Sequence, residues 1–179
     1  MKKLKITTCF KFVLSMAILL SFVTNANAEG FNEKLKGTYA FSTIVTCSGS
    51  GGNTSTNHVQ GELLFNGDGT GESSLIALVI NHNPAITGGD PPDVKQLSGN
   101  FTYSVGSDDY FTFDSTGLSV VGTPVIISGI AQEGRLGHGA QTLLIADTDT
   151  NTETISIGGN VIRTRTCGRS GTAVKIHSN

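Results

Sequence analysis

The apolar residues of this sequence recur at every second position over much of its length, and glycine, asparagine and aspartate interrupt them at short intervals. This alternation is typical of antiparallel strands that bury one face and leave the other in water. The segment Leu97–Val105 is the clearest case, because Phe101, Tyr103 and Val105 share one face while serine, asparagine and threonine occupy the other. Helix signals are nearly absent. The sequence therefore predicts an all-β fold.

Ten segments carry this alternation or a short apolar run and are predicted to be strands. They are Gly37–Cys47, His58–Asn66, Glu72–Ile80, Leu97–Val105, Tyr110–Asp114, Leu118–Ser128, Gln141–Asp147, Thr154–Ile157, Val161–Cys167 and Thr172–His177. The segment Gly168–Gly171 is predicted to be the turn before the last strand. Two longer connections, Asn81–Gln96 with three of the four prolines and the glycine-rich Gly129–Ala140, are predicted to be loops and the places where function would sit.

The N-terminal segment Met1–Ala28 has the pattern of a secretory signal peptide. Four lysines precede or flank an apolar run that ends at Val23, and Ala26 and Ala28 supply the small residues of a cleavage site. The apolar run is shorter than the roughly 20 residues that a membrane-spanning helix needs, and no later segment is longer. Cleavage after Ala28 would leave one domain, residues 29–179, secreted or periplasmic.

The predicted mature chain is acidic. All 14 acidic residues but only 8 of the 12 basic residues follow Ala28, which gives a formal charge of −6. An acidic surface repels phosphates, and the one basic cluster, Arg163, Arg165 and Arg169, is small. Nucleic acid is therefore not expected as a partner, and the composition does not decide the oligomeric state.

Two cysteines, Cys47 and Cys167, remain after the predicted leader is removed. In an oxidising compartment they are predicted to form a disulfide, and two buried free thiols are the alternative. They lie on the first and the ninth predicted strands, so a bridge requires the sheet to close by pairing its first and last strands. Antiparallel closure favours an even number of strands. The prediction is an antiparallel up-and-down β-barrel of about 8–10 strands.

No arrangement of residues indicates a catalytic, metal or cofactor site. The four histidines never fall at a metal-ligand spacing, and no nucleophile-elbow or phosphate-loop pattern occurs. The segment Asp147–Glu153 has oxygen-bearing side chains at alternate positions, as calcium loops do, but Thr152 stands where such a loop needs glycine. A solvated hairpin end is the simpler interpretation of this segment.

The segment Asn32–Tyr39, Asn-Glu-Lys-Leu-Lys-Gly-Thr-Tyr, resembles the start of a lipocalin-type (calycin-type) barrel, where a short turn leads into a Gly-x-aromatic strand. The resemblance implies that the ring of Tyr39 closes one end of the barrel and that an arginine from the last strands packs on it. Arg163 or Arg165 would take that role through a cation–π contact. The match covers this strand alone, and the family's usual tryptophan is absent. Tyr39 as an ordinary core residue is the alternative.

The leading functional hypothesis is a small hydrophobic ligand bound inside the barrel. Eight residues are predicted to line it: Tyr39, Phe41, Leu63, Phe65, Phe101, Tyr103, Phe111 and Phe113. One alternative is a surface, assembly or host-interaction protein that uses the strand Leu75–Ile80 and the 81–96 loop and binds no small molecule. A further alternative is a barrel enzyme that resembles allene oxide cyclase, which guides the cyclisation of a fatty-acid derivative by shape.

Overall fold

Eleven antiparallel strands form one continuous sheet in the computed structural model, which describes residues 30–49, 52–82 and 92–178. The strands are β1 (Lys36–Gly49), β2 (Thr54–Asn66), β3 (Thr70–Asn81), β4 (Asp93–Val105), β5 (Tyr110–Ser115), β6 (Leu118–Val120), β7 (Val125–Ser128), β8 (Ile130–Leu136), β9 (Thr142–Ala146), β10 (Asn151–Ile157) and β11 (Asn160–His177). Buried and exposed residues alternate along β1 to β5, as the sequence pattern predicts. The all-β prediction is confirmed.

The sheet closes into a barrel because its first and last strands pair. A ring of eight strands runs β1-β2-β3-β4-β5-β8-β9-β11 and returns to β1. The β1–β11 pairing is antiparallel and extends from Thr38 opposite His177 to Gly49 opposite Arg165. An antiparallel barrel closed by its first and last strands is therefore confirmed, at the lower limit of the predicted strand number.

The three strands outside this ring complete a second circuit at one end of the barrel. The first part of β4 pairs with β6 and its last part with β5, while β11 pairs with β10 along its first half and with β9 along its second. The strands β6, β7 and β10 thus continue the paths of β5, β8 and β9, with interruptions at 116–117, Gly129 and 147–150. Both ends of the barrel consequently have eight strand segments around them.

The two ends differ in which connections they carry. The N-terminal turn and the β2–β3, β4–β5 and β8–β9 connections meet at one end, which we call the aromatic end. The other end, which we call the disulfide end, carries the β6–β7 and β10–β11 connections, the last residues of β1 and β3 and the first residues of β2 and β4.

The prediction of a functional loop at Gly129–Ala140 is wrong, because Ile130–Leu136 is strand β8 and only a 3₁₀ turn, His138–Ala140, follows it. Its glycines suggested a loop, but Gly134 packs so closely on Phe111 and the Leu144 carbonyl that a Cβ would clash with both. The segment Leu118–Ser128, predicted as one strand, is instead the β6–β7 hairpin.

The predicted turn at Gly168–Gly171 is also wrong, because β11 runs without a break from Asn160 to His177. Gly171 lies where β11 crosses close to β1, and a Cβ there would clash with the Ser42 carbonyl. The two strands predicted in this region are therefore one, and Cys167 lies on the last strand, directly opposite Cys47.

Several predictions concern residues outside the described ranges. The predicted leader, Met1–Ala28, lies there, and so do residues 83–91 of the proline-containing connection. The described part of that connection is shorter than predicted, because β3 extends to Asn81 and β4 begins at Asp93. Within the ranges that the structure describes, no helix has the length and apolar character needed to cross a bilayer.

Candidate functional site: the barrel interior

Aromatic rings fill the barrel at its aromatic end. They belong to inward-facing residues of β1, β2, β4 and β5, namely Tyr39, Phe65, Phe101, Tyr103, Phe111 and Phe113, which we call the aromatic layer; all six are buried. The ring of Phe65 lies at the centre, with its centroid 5.0 to 5.2 Å from the centroids of its three aromatic neighbours. Edge-to-face contacts at such distances are favourable, so this end of the barrel is packed core.

Buried hydrogen bonds close the aromatic end. The Tyr103 hydroxyl donates to the Leu35 carbonyl at 2.8 Å, and the Val105 amide donates to Asn32 Oδ1 at 2.9 Å. The Tyr39 hydroxyl donates to the carbonyl of Ala140 at 2.6 Å. Burial, followed by the neighbouring Tyr103, raises the pKa of Tyr39 to about 12. These bonds fasten the N-terminal turn and the 3₁₀ turn across the base of the barrel.

Toward the disulfide end the interior is hollow. A cavity of about 100 Å³ lies beyond the aromatic layer. Most of its wall is apolar and comes from Phe41, Val45, Val59, Leu75, Ala77, Val79, Leu97, Leu118, Val120, Ile127 and Ile130. Engineered apolar cavities of about 150 Å³ stay dry and take up benzene, so the volume is in the range of a single ring.

The β10–β11 side of the same cavity carries ionic groups. Glu153, Arg165 and Arg169 line it, and the side chains of Glu153 and Arg169 are each only 2% exposed. Nε and Nη2 of Arg165 contact Glu153 Oε2 at 2.7 and 2.6 Å, while Nη2 of Arg169 contacts Glu153 Oε1. The carboxylate of Glu153 therefore bridges two guanidinium groups. We call these three residues, with Asp147, the ion cluster.

Asp147 completes the ion cluster on the far side of Arg169. Its Oδ2 lies 3.4 Å from Arg169 Nη1, and Asp147 does not line the cavity. Desolvation is the largest influence on these groups: it raises the pKa of Asp147 and lowers the pKa values of Arg165 and Arg169. Ions buried at this depth need partners, which the two arginines and two carboxylates supply to one another.

The predicted disulfide between Cys47 and Cys167 is present beside the ion cluster. The two Cα atoms lie 4.1 Å apart on the directly paired strands β1 and β11. The Asn57 amide donates to Cys47 Sγ at 3.8 Å. Glu153 lies near both sulfur atoms. These three residues do not form a metal site, because metal binding by cysteine requires a thiolate and both sulfurs are bonded to each other.

The eight residues predicted to line a ligand are all buried, but they divide between the two ends. Phe41 lines the cavity, whereas the other seven, all within the described ranges, do not. Six of those seven form the aromatic layer, and Leu63 lies opposite Tyr39 on β2. A ligand-binding role for these seven stays a prediction, and in the structure they belong to the packed core of the barrel.

The cation that faces Tyr39 differs from the one that the lipocalin resemblance implied. Lys175 Nζ, on the last strand, lies 5.9 Å from the centroid of the Tyr39 ring. Arg165 instead belongs to the ion cluster, and Arg163 lies against Gly49 at the disulfide end. The reason is the strand register. Tyr39 pairs with Lys175 across β1 and β11, whereas Arg165 lies ten residues earlier on β11 and pairs with Gly49.

The ion cluster is the part of the interior that sequence reasoning missed. A signal was present: Arg165 and Arg169 flank Cys167 at positions i−2 and i+2, so all three side chains point to one face of a strand. A disulfide to Cys47, which shares a face with Tyr39 and Phe41, would turn Cys167 inward and both arginines with it. The predicted turn at Gly168–Gly171 concealed this relation.

Comparisons with known proteins leave the family open. No protein-family model matches the chain, and no curated protein matches it. A solved structure described as a redesigned beta barrel, mFAP1, bound to DFHBI is 15% identical to the chain, with a TM-score of 0.33. That match covers 82% of this chain and 99% of the other. A likeness this distant carries no argument, and the barrel rests on the strand pairings described above.

Proposed function

We propose that the cavity at the disulfide end binds a small, mainly apolar molecule. The observation that carries this proposal is the contrast within one barrel between a packed aromatic layer and a cavity whose wall is mainly apolar. Protein interiors are normally packed to the density of organic crystals, so the side chains around a cavity of about 100 Å³ lack contacts that a packed core would give them. A guest of matching size recovers the lost contacts, which favours binding.

The proposal includes a compartment. The leader-like segment Met1–Ala28 and the Cys47–Cys167 disulfide both fit a protein that acts outside the cytoplasm, where thiols are oxidised. Mass spectrometry of the protein purified from its own host tests this, with an expected mature N-terminus at Glu29. A full-length N-terminus would contradict it.

A cavity-filling variant tests ligand binding. In Ala77→Phe the added ring would occupy the cavity, because Ala77 is a buried wall residue. Ala40→Phe is the matched control, since Ala40 lies on the outer face of β1. Toluene at 100 times its Kd should raise the free energy of unfolding by about 2.7 kcal/mol in the wild type and in Ala40→Phe, but not in Ala77→Phe. Equal stabilisation of all three would contradict the proposed site.

Native mass spectrometry supplies a test that assumes no particular ligand. Protein isolated from its own host under gentle conditions should carry additional mass that Ala77→Phe lacks. A clean apo mass for the wild type, together with no stabilisation by toluene, would count against ligand binding altogether.

A surface-interaction role is the second candidate, and the outer wall of the barrel favours it. Ile44 on β1 and Ile76 on β3 point outward and are 48% and 44% exposed. The two strands flank β2, and exposed apolar residues on the same outer wall can mark a protein interface. Size-exclusion chromatography with light scattering tests this: a self-associating wild type should become monomeric in Ile76→Lys. A wild type that is monomeric at all concentrations would remove self-association as a role for this face.

A further inference from the structure

We propose that the ligand of the cavity carries an anionic acceptor such as a carboxylate on a ring-sized apolar body, and that Arg165 receives it; this rests on the proposed function. The charges that line the cavity differ from those of the whole protein. Lys95, Arg165 and Arg169 face Glu153, three positive groups against one negative. The predicted mature chain, by contrast, has a formal charge of −6.

Two further carboxylates lie near these cations, but they do not cancel the excess of positive charge that lines the cavity. Asp147 pairs with Arg169 but does not line the cavity, so it neutralises the arginine that lies deepest. Asp93 pairs with Lys95 where both side chains are well exposed, and water screens such a pair. Arg165 is then the buried cation whose charge is balanced least, because it shares its single carboxylate partner, Glu153, with Arg169.

The hydrogen-bonding capacity left over at Arg165, the member of the ion cluster nearest the disulfide end of the cavity, is that of a donor. Both oxygens of Glu153 are occupied, Oε2 by Arg165 and Oε1 by Arg169. Arg165 uses Nε and Nη2 for this contact, and among the residues that the structure describes its Nη1 has no protein partner. A guanidinium has five N–H donors and no acceptor, so a group that binds to it must accept. Carboxylates accept from a guanidinium with the best geometry.

The position of Arg165 sets the orientation of the ligand. Arg165 lies opposite Gly49, the last residue of β1, and its side chain keeps 15% of its surface exposed. It therefore lies toward the disulfide end, while Phe41 and Ile130 line the part of the wall nearer the aromatic layer. A ring would enter first and pack on the aliphatic wall, which leaves its carboxylate at Arg165.

Benzoate and toluene form a matched pair of probes, because they share the ring and differ in the carboxylate. Calorimetry on the wild-type protein at low ionic strength should show benzoate binding at least about tenfold more tightly than toluene, and the difference should shrink with added salt. The double variant Glu153→Gln/Arg165→Met removes the ion pair as a unit. It should weaken benzoate about tenfold and leave toluene unchanged.

Two more variants keep the test independent of folding defects. Arg135→Met makes the same replacement on an outward arginine that is 62% exposed, and it should bind both probes as the wild type does. Lys95→Met removes a partly exposed cation and should weaken benzoate about threefold without affecting toluene. If the double variant does not fold, the benzoate and toluene affinities of Lys95→Met supply the test.

The outcomes separate this inference from the proposed function. Toluene binding without benzoate binding, or benzoate affinity that survives both Glu153→Gln/Arg165→Met and Lys95→Met, would overturn the anionic ligand and leave the cavity as a binding site. Absence of binding by both probes would overturn the cavity as a site and the ligand class with it.

Discussion

The two ends of this barrel interior are built from the same strands but stabilised by different means. At the aromatic end, six aromatic side chains are buried and five of their rings contact one another, while tyrosine hydroxyls bond the closing turns. At the disulfide end, a cavity borders the ion cluster, and Glu153 of that cluster lies near the Cys47–Cys167 disulfide. Side-chain packing stabilises the aromatic end, whereas charge pairing and a disulfide stabilise the disulfide end around a cavity. A barrel can therefore keep an internal cavity when covalent and ionic contacts replace part of the core.

The largest expected effect comes from removing the cross-link. Cys47→Ser/Cys167→Ser releases a bond between residues 120 apart in sequence and should lower the free energy of unfolding by about 4 kcal/mol, as measured by urea denaturation. Amide hydrogen exchange should then show early opening around the disulfide end, with the strands around Phe65 still protected. Uniform loss of protection would contradict the different stabilisation of the two ends.

Truncating one side chain at each end tests the packing difference directly. Phe65→Ala removes the central ring of the aromatic layer and should cost about 3 to 4 kcal/mol. Val59→Ala at the cavity wall should cost only about 1 kcal/mol, because this side chain already borders empty space. Equal losses in chemical denaturation would show that the cavity is packed in solution.

Removing one partner of an ion pair in the ion cluster should lower the free energy of unfolding more than removing both partners. Glu153→Ala leaves Arg165 without its carboxylate and is expected to destabilise the protein by about 3 kcal/mol. The double variant Glu153→Ala/Arg165→Met should recover about 1 kcal/mol of that loss, since no uncompensated guanidinium remains at position 165. If the losses of stability measured for Glu153→Ala and for Arg165→Met simply add in the double variant, the coupling between these two side chains is absent.

The smallest expected effect is a pH dependence at the aromatic end. Tyr39 has its pKa raised from 10 to about 12, so the unfolded chain loses this proton before the folded protein does. The contribution of Tyr39 to stability is complete below pH 10 and is lost as the pH rises toward 12. Tyr39→Phe should cost about 1 kcal/mol at neutral pH and show a shallower decline above pH 10. Identical alkaline profiles would contradict the buried, protonated hydroxyl.

Much of the barrel could be predicted where a strand has one buried face and one wet face. In β4, the alternation of Leu97, Phe101 and Tyr103 with polar residues matches the observed burial. The prediction failed for β8, where Gln132, Glu133 and Gly134 interrupt any apolar pattern. That strand forms because β5 pairs with it on one side and β9 on the other, and β5 is separated from it in sequence by the β6–β7 hairpin.

The candidate site was predictable only in part. The inward position of the aromatic residues followed from the period of two, but whether their rings would line a ligand or contact one another depends on how four strands approach in space. The ion cluster combines Glu153 on β10 with Arg165 and Arg169 on β11. These three become neighbours through the β10–β11 register, which was hidden as long as β11 was divided into two strands, and Asp147 follows β9, which also pairs with β11.

The sequence alone determined the fold class, the antiparallel closure and the disulfide, because alternation and cysteine position are properties that each strand carries by itself. Only the tertiary structure decided which half of the interior is filled, which strands join into long ones, and that two arginines and two carboxylates meet beside the disulfide. The physical reason is that empty volume and buried charge depend on side chains contributed by strands from the whole circumference of the barrel. A local sequence pattern does not show how far apart these side chains lie in the folded barrel.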